Sequence, residues 1–524
     1  MRKTFYLSVA GLTILYTLSY FFFPLFLYSL VLTLPLVTLG IVDCCQEAHT
    51  IRRNYPILGN FRYLFESIRP EINQYFVESD TNGTPLNREE RTLIYQRSKK
   101  VRDTIPFGTK KNTYEAGYEW VEHSINCKHL EPREMRVTVG GKDCLQPYSA
   151  SILNISAMSY GSLSSHAVMA LNKGAKEGQF AHNTGEGGIS PHHREYNGDL
   201  IWQIGTGYFG CRNSKGGFDE ELFAERASAD QIKMIEIKIS QGAKPGHGGI
   251  LPKSKITPEI VAIRNVPSDQ DVISPPSHSE FTTPLELMDF IARLRERSKG
   301  KPIGFKLCIG KRSEFISICK AMLETGIKPD FITIDGGEGG TGAAPVEFSN
   351  SIGSPLYDAL VFVDNTLRGF NLKNDIKVIA AGKLTSAFGM IKRIAIGADI
   401  LYSARAFMLS LGCIQALKCN SNTCPAGIAT QDSGLVKGLS VEKKYKRVYY
   451  FHSEMLRAFS ELLGAMGLDS PDELTPSMIQ YRIRYNEVQN YAELFRFIEE
   501  GSLLDKRIHP SFRKLVDQAS THTF

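Results

Sequence analysis

DFITIDGG, residues 330–337, sets four apolar or β-branched residues between two aspartates and closes on two glycines. A run that short, apolar at successive rather than alternate positions, reads as a strand buried on both faces of a parallel sheet. The same signature recurs on either side. Toward the C-terminus stand KVIAAGKL (377–384) and ADILYSARA (398–406). Toward the N-terminus stand IGFKLCIG (303–310), DVISPP (271–276), MIEIKIS (234–240), QFAHNTG (179–185) and SILNISAM (151–158). Helical patterns such as LELMDFIARLRERS and EFISICKAMLETG separate them. Eight such strands between residues 151 and 406 match an α/β (β/α)8 TIM barrel, which takes about 250 residues. A doubly wound open sheet is the alternative. Nearly every run ends on Gly, Ser, Asn or a charged residue, at the barrel end where active sites lie.

Outside the barrel the chain changes character. Phe5 to Val42 is almost free of charge, and one membrane span needs about 20 apolar residues. Two spans, about 4–22 and 25–42, are predicted, broken at Pro24. Arg2 and Lys3 precede them and Arg52 and Arg53 follow. Basic residues on both flanks suit a helical hairpin with both ends in the cytoplasm, and hence a cytoplasmic catalytic part. One tilted span is the alternative. The organisation expected is a transmembrane segment over 1–44, a polar lead-in over 45–150, the barrel with its cysteine segment over 151–440, and a helical C-terminal extension over 441–524. The 524 residues carry a net charge of +6, with Lys and Arg scattered, so no nucleic-acid footprint is present. The ten cysteines form no secreted-type framework.

Several residues carry chemistry. In IGFKLCIG, Lys306 alternates inward, and a lysine inside an apolar strand needs an anionic partner. Barrels commonly hold a phosphate after strands seven and eight, here Gly382 and Lys383, and Ala404 and Arg405. Glycines there let backbone N–H groups approach an anion. Gly205-x-Gly207-x-x-Gly210 and Gly337-x-Gly339-x-x-Gly342 match the dinucleotide fingerprint formally. Without a strand–turn–helix unit they read as glycine turns at strand ends. Cys413, Cys419 and Cys424, followed by Pro425, suit thiolates around iron and sulfur. Buried small hydrophobes or part of a zinc site are the other readings of three thiols.

The cysteine run GC-x5-C-x4-CP-x-GIATQ closely resembles the [3Fe-4S] segment of the glutamate synthase large subunit. NTGEGG (183–188), QGAKPGHGG (241–249), SPP (274–276) and GGTGAAP (339–345) resemble, in order, the FMN and substrate domain of that family. The likeness runs from about residue 90 to about 440. It implies FMN and a [3Fe-4S] cluster on Cys413, Cys419 and Cys424. Met158 and Ser159 would border the flavin, and Lys306 would face its ring. Glu338, Gly339, Gly340 and Thr341 would form the loop after strand six. Glu186 would lie close to cofactor and substrate, with Lys244 and Arg264 binding the two carboxylates of 2-oxoglutarate. The implied reaction is reduction of 2-iminoglutarate to glutamate, with electrons passed through the cluster to FMN. Ile250 departs from the pattern: the family has a substrate-binding glutamine there. A different amino or imino acid is therefore a rival substrate, and a membrane-tethered scaffold without activity is the rival of another class. No glutaminase domain is recognised. Ammonia or a separate ammonia-supplying partner is expected, with a ferredoxin-like protein or reductase subunit as electron donor.

Overall fold

The computed structural model describes residues 1–101, 104–132, 135–505 and 508–524. The chain divides into two compact units, Met1–Glu89 and Glu90–Phe524. The lead-in expected over 45–150 is therefore split between them at Glu89.

In the first unit, helix α1 (Arg2–Phe22) runs into a 3-10 segment, Pro24–Ser29, and then helix α2 (Leu30–Cys45). Pro24 begins the break, where its missing N–H costs nothing. The two helices fold back on each other. Tyr16 Oη bonds Ser29 Oγ (2.8 Å) and Thr33 Oγ1 (2.7 Å), and Arg2 donates to the Cys44 carbonyl (3.4 Å). Gly40 lets the Phe5 ring lie where a side chain would otherwise stand. Arg2–Phe22 and Pro24–Cys45, the latter taking in the 3-10 segment, are each long and apolar enough to cross a membrane. A short helix, Thr50–Asn54, and then helix α3 (Gly59–Ile72) follow.

The second unit is built on a closed parallel barrel: β1 (Leu153–Ile155), β2 (His182–Asn183), β3 (Leu200–Ile204), β4 (Ile232–Lys238), β5 (Ile303–Leu307), β6 (Phe331–Asp335), β7 (Lys377–Ala381) and β8 (Ile400–Ser403). The strands pair in chain order, and β8 closes on β1 through Leu401 beside Leu153. Seven of these lie in the stretches read from the sequence. The eighth does not. DVISPP forms no barrel strand: Val272–Ile273 pairs only with Ile250–Leu251, in a two-stranded antiparallel ribbon. Pro275 and Pro276 remove the N–H groups that a central strand must donate. The true third strand is LIWQI, 200–204. A short antiparallel hairpin, Arg136–Val139 with Tyr148–Ser151, packs Val139, Tyr148 and Ala150 against Ala181, Ile201, Phe331 and Ile400 in one core.

Helix α4 (Ser165–Gly178) lies against the long C-terminal helix, Val441–Ala465. Beyond Ala465 the expected helical extension gives way to strands. Ile479–Arg484 and Glu487–Asn490 form a hairpin whose free edge pairs with Glu119–Val121. IQYRIR alternates at period two, which a helix cannot use.

Candidate functional site

Inside the barrel Glu236 on β4 is a fully buried carboxylate. It accepts from Asn183 Nδ2 (2.8 Å), Gln203 Nε2 (2.6 Å) and Thr333 Oγ1 (2.6 Å). Those donors come from β2, β3 and β6, so Glu236 ties four strands into one polar layer. Two residues on along β4, the side-chain alternation of a strand brings Lys238 to the same inner face.

Lys238 is the centre of the site, and it went unread in the sequence. Its Nζ lies 2.7 Å from Glu186 Oε1 and donates to Gln241 Oε1 (2.8 Å). The signal was the one used for Lys306, a lysine in the inward register of an apolar strand. Lys238 and Lys306 in fact sit side by side across the β4–β5 pair. Lys306 has the anionic partner its burial demands: its Nζ is 3.1 Å from Asp335 Oδ2. Burial pulls the Lys306 pKa down, but Asp335 and Glu236 outweigh it and hold the ammonium above its usual range.

Glu186 is walled by glycines. A Cβ at Gly205 would stand 2.8 Å from the Glu186 side chain, and one at Gly249 only 2.2 Å from its Oε1. Burial raises the carboxyl pKa. Lys238 first, then Lys244 and Arg264, reverse that and keep it ionised below the usual range. Lys244 is buried and donates to the Ala343 carbonyl (2.6 Å) in the loop after β6. Burial pushes its pKa down to about 8; Glu186 pulls it back and Lys238 adds to the fall. Arg264 ends helix Pro258–Arg264 and donates to the Tyr160 carbonyl (2.8 Å) and to Ser159 Oγ (3.4 Å). Burial lowers it to about 10 against the pull of Glu186. Its Nε is buried without a hydrogen-bond partner among the described residues. Gly161 and Gly187 leave the space its guanidinium occupies. Met158 and Ser159 lie over Gly185, whose φ of +64° a side chain rarely adopts.

The late strands supply a second patch. Gly340 lies against the Arg405 side chain, where a Cβ would approach Nε to 3.0 Å. Arg405 donates to the Glu338 carbonyl (2.7 Å). Gly382 (φ +142°) and the exposed Lys383 (φ +45°) follow β7, and Ala404 precedes the helix that Arg405 opens. Gly339 N donates to the Gly336 carbonyl (2.8 Å), and Thr341 is exposed, donating to the Ala343 carbonyl (3.1 Å). Gly205 directly follows β3 and Gly337 lies just past β6, so both glycine strings are turns at strand ends rather than dinucleotide fingerprints. Ile250 opens the ribbon directly after Gly249, the residue whose missing side chain makes room for Glu186.

The cysteine segment docks on the loop after β1. Gln431 Nε2 donates to the Leu163 (2.8 Å) and Gly161 (3.1 Å) carbonyls, Ser164 Oγ to Gly427 (2.7 Å), and Asn422 Nδ2 to Ser254 (2.7 Å). One loop, 158–164, therefore touches the cysteine segment at one end and Arg264 at the other. Burial pushes the Cys413 thiol up to about 11, and Cys419 and Cys424 are near enough to add to it. Buried Lys255 faces Cys419 and Cys424 electrostatically. Among the described residues no three His, Cys, Asp or Glu side chains converge as ligands of one ion.

The fold and site define a parallel-barrel enzyme whose C-terminal mouth gathers buried charge between glycines, with three thiols on an adjoining loop. The family described as the conserved region in glutamate synthase matches residues 103–469. The glutamate synthase large subunit-like protein YerD of Bacillus subtilis (strain 168) is 36% identical over 88% of this chain and 96% of its own. The archaeal NADPH glutamate synthase of Methanocaldococcus jannaschii is 35% identical over 68% of this chain and 66% of its own. The NADPH glutamate synthase large chain of Azospirillum brasilense is 30% identical, and the match spans only 20% of it. The chain belongs to the glutamate synthase family, a family of oxidoreductases acting on CH–NH2 donors. Among solved structures, a mutant of the active chimera of (S)-mandelate dehydrogenase matches at 12% identity over 75% of this chain and 98% of its own. Its TM-score of 0.44 adds nothing to the strand order above.

Proposed function

We propose that the chain is a membrane-anchored flavin and iron–sulfur oxidoreductase that reduces 2-iminoglutarate, formed from 2-oxoglutarate and ammonia, to glutamate. The observation that carries this is a charge imbalance. Lys238, Lys244 and Arg264 surround one carboxylate, Glu186, leaving two buried positive charges uncompensated. Burial without enough counter-charge is what lowers Lys244 and Arg264. A dianionic 2-oxo acid supplies the two missing negative charges, and the forked guanidinium suits a carboxylate.

The late-strand patch fits the phosphate of FMN. Gly340 leaves room beside the Arg405 cation, Gly382 turns the chain after β7 beside Gly336, and Lys383 adds a second charge. Lys306 fits the ring, where a fixed ammonium favours added negative charge. Cys413, Cys419 and Cys424 fit a [3Fe-4S] cluster as one thiolate per iron. When bound, the flavin would supply hydride chemistry and the cluster one-electron delivery. The chain's own part is to hold Glu186 ionised beside the substrate, to clamp the two carboxylates through Lys244 and Arg264, and to couple the two centres through loop 158–164. The electron donor is a ferredoxin-like protein or a reductase subunit, and ammonia arrives free or from a separate partner. The apolar hairpin supports anchoring, with the barrel in the cytoplasm.

Ile250 favours a second reading, a different amino or imino acid in the same pocket. It follows Gly249, which touches Glu186, and it offers no amide for a polar substrate contact. Reoxidation of photoreduced protein, screened over 2-oxo acids with ammonia, separates the two. Fastest turnover with 2-oxoglutarate supports the first. Turnover confined to a monoanionic acid supports the second. A protein without visible absorbance would leave only a scaffold.

A further inference from the structure

Helix α3, Gly59–Ile72, is turned inside out for a protein in water. At 100° per residue Phe61, Leu64, Phe65, Ile68 and Ile72 fall within one arc of about 100°, the width of an ordinary core-facing stripe. They do not face a core: they are 51%, 51%, 60%, 38% and 40% exposed. The helix rests on its own unit through the opposite side instead. Tyr63 packs on His49 at a ring distance of 4.8 Å and lies under the Arg52 guanidinium at 4.3 Å. Gly59 lets the start of the helix close on helix Thr50–Asn54: a Cβ there would stand 2.8 Å from Arg52 Cα. The apolar stripe is thus aimed away from the unit that carries it. Tyr75, Phe76 and Val77 prolong the exposed surface beyond the helix.

The level of this helix is fixed by the hairpin. Asp43, buried in the last turn of α2, accepts from the Ile57 backbone N–H (2.9 Å) and from Asn60 Nδ2 (2.5 Å). Arg2 reaches the Cys44 carbonyl, so both hairpin ends are at this level too. A hairpin whose apolar length spans a bilayer puts its ends at the headgroups. Whatever is pinned to Asp43 is pinned there. Charge agrees with that depth. Residues 50–77 hold four arginines, at 52, 53, 62 and 69, against two glutamates, at 66 and 71. Arg62 and Arg69 lie along one edge of the apolar arc, placed to extend their heads toward phosphates while their stems cover apolar surface.

We propose that α3 lies flat in the headgroup layer of the membrane that the hairpin enters, with its Phe–Leu–Ile stripe in the outer acyl region and its arginines on anionic headgroups. Interfacial helices bury that face about 5–10 Å deep. The anchor is then a three-helix device, two spans and one surface helix, and the surface helix fixes the orientation of the chain that leaves the membrane. This rests on the membrane reading above.

The test uses the full chain in vesicles of phosphatidylcholine with phosphatidylglycerol, with single substitutions Phe65→Trp on the stripe and Ser67→Trp off it. Fluorescence is read as the difference from the parent chain, whose own tryptophans are Trp120 and Trp202. Lipids brominated near the headgroup should quench the tryptophan at 65 at least about twofold more than the one at 67, and acrylamide should do the reverse. Equal quenching at both positions, in a chain that resists alkaline carbonate extraction, overturns the surface helix and leaves the hairpin standing. A tryptophan at 65 shielded from both quenchers means protein covers the stripe, which also overturns it. Release of the parent chain by carbonate removes the membrane reading and this inference together.

Discussion

The two units solve opposite solvation problems with the same amino acids. Around the barrel, Ile, Leu and Phe are buried, and the polar groups taken in with them, Glu236, Glu186, Lys238 and Lys306, are paired at the axis and mouth. In Met1–Glu89 most large aromatic and aliphatic side chains are exposed, Leu86 being a buried exception. Polar groups are taken in: Asp43 with its two donors, and half-buried Tyr16 between Ser29 and Thr33. Each unit satisfies these polar groups internally, because in neither interior does water do so. On the membrane reading proposed above, the difference reflects the solvent of each unit, and it can be broken at measurable points.

Acid should break it most. His182, His278 and His452 are buried in the barrel unit, with pKa values lowered by burial to about 3, 4 and 3. A folded pKa below the unfolded value of about 6.5 means the unfolded chain binds protons that the native one refuses. Their stabilising effect is complete above about pH 6.5 and is lost progressively as pH falls toward 4. By pH 5 the loss is about 2 kcal/mol for each, roughly 6 for the three. Near-ultraviolet circular dichroism of the detergent-solubilised chain should collapse between about pH 6 and 4, while α1 and α2, which hold no histidine, keep their far-ultraviolet helical signal. A flat stability profile across that range would mean the histidines are wet.

Next comes the mouth. Removing one partner from a buried charge pair costs about 3–5 kcal/mol, because the other charge stays buried. Glu186→Gln leaves Lys238, Lys244 and Arg264 with no carboxylate among them. The thermal midpoint should fall by several degrees in the absence of substrate and recover in part with a dianion such as 2-oxoglutarate. No recovery would argue that the imbalance does not belong to a substrate site.

Two leucines sharpen the contrast more gently. Leu15 on α1 is 45% exposed and Leu323 on the barrel unit 41%. To water they are equivalent, and Lys at either should change stability by no more than about 0.5 kcal/mol. To a bilayer they are not: a lysine at mid-helix costs about 2.5–3.5 kcal/mol of insertion. Leu15→Lys should shift the chain from the membrane pellet toward aggregate, and Leu323→Lys should leave it in place. The same behaviour for both would erase the distinction between the units.

Legibility followed the same division. Seven barrel strands could be read because burial on both faces forces continuous apolar runs. LIWQI is as apolar as the rest but only five residues long, set in the polar run between NTGEGG and the next helix. DVISPP was misread because its β-branched pair outweighed two prolines that a central strand cannot hold. At the site, Glu186, Lys244 and Arg264 come from three separate stretches of sequence, and only the family resemblance put them in one place before the fold did. Lys238 was legible by the argument applied to Lys306 and was passed over because it sits in an alternating run that also holds Glu236 and Lys233. The stripe on α3 was hidden by composition: a segment polar on average conceals an apolar face that only the helical period reveals.

The smallest effect tests the mouth at one contact. Arg264 meets the Tyr160 carbonyl, the Ser159 hydroxyl, the Phe209 ring at 5.2 Å and the field of Glu186, and its Nε has no hydrogen-bond partner among the described residues. Losing a charge-assisted contact to a carboxylate costs about 1.5–3 kcal/mol, so Arg264→Ala should raise KM for 2-oxoglutarate by roughly ten to more than a hundredfold. Flavin content should hold, since Arg264 belongs to the early-strand side of the mouth and the phosphate patch to the late strands. Arg264→Lys should recover only part of the loss, because an ammonium cannot offer the fork. Unchanged KM with a fallen kcat would place Arg264 as a support for loop 158–164 rather than a substrate contact. Equal turnover of 2-oxoglutarate by parent and variant would hand the pocket beside Ile250 to a different acid.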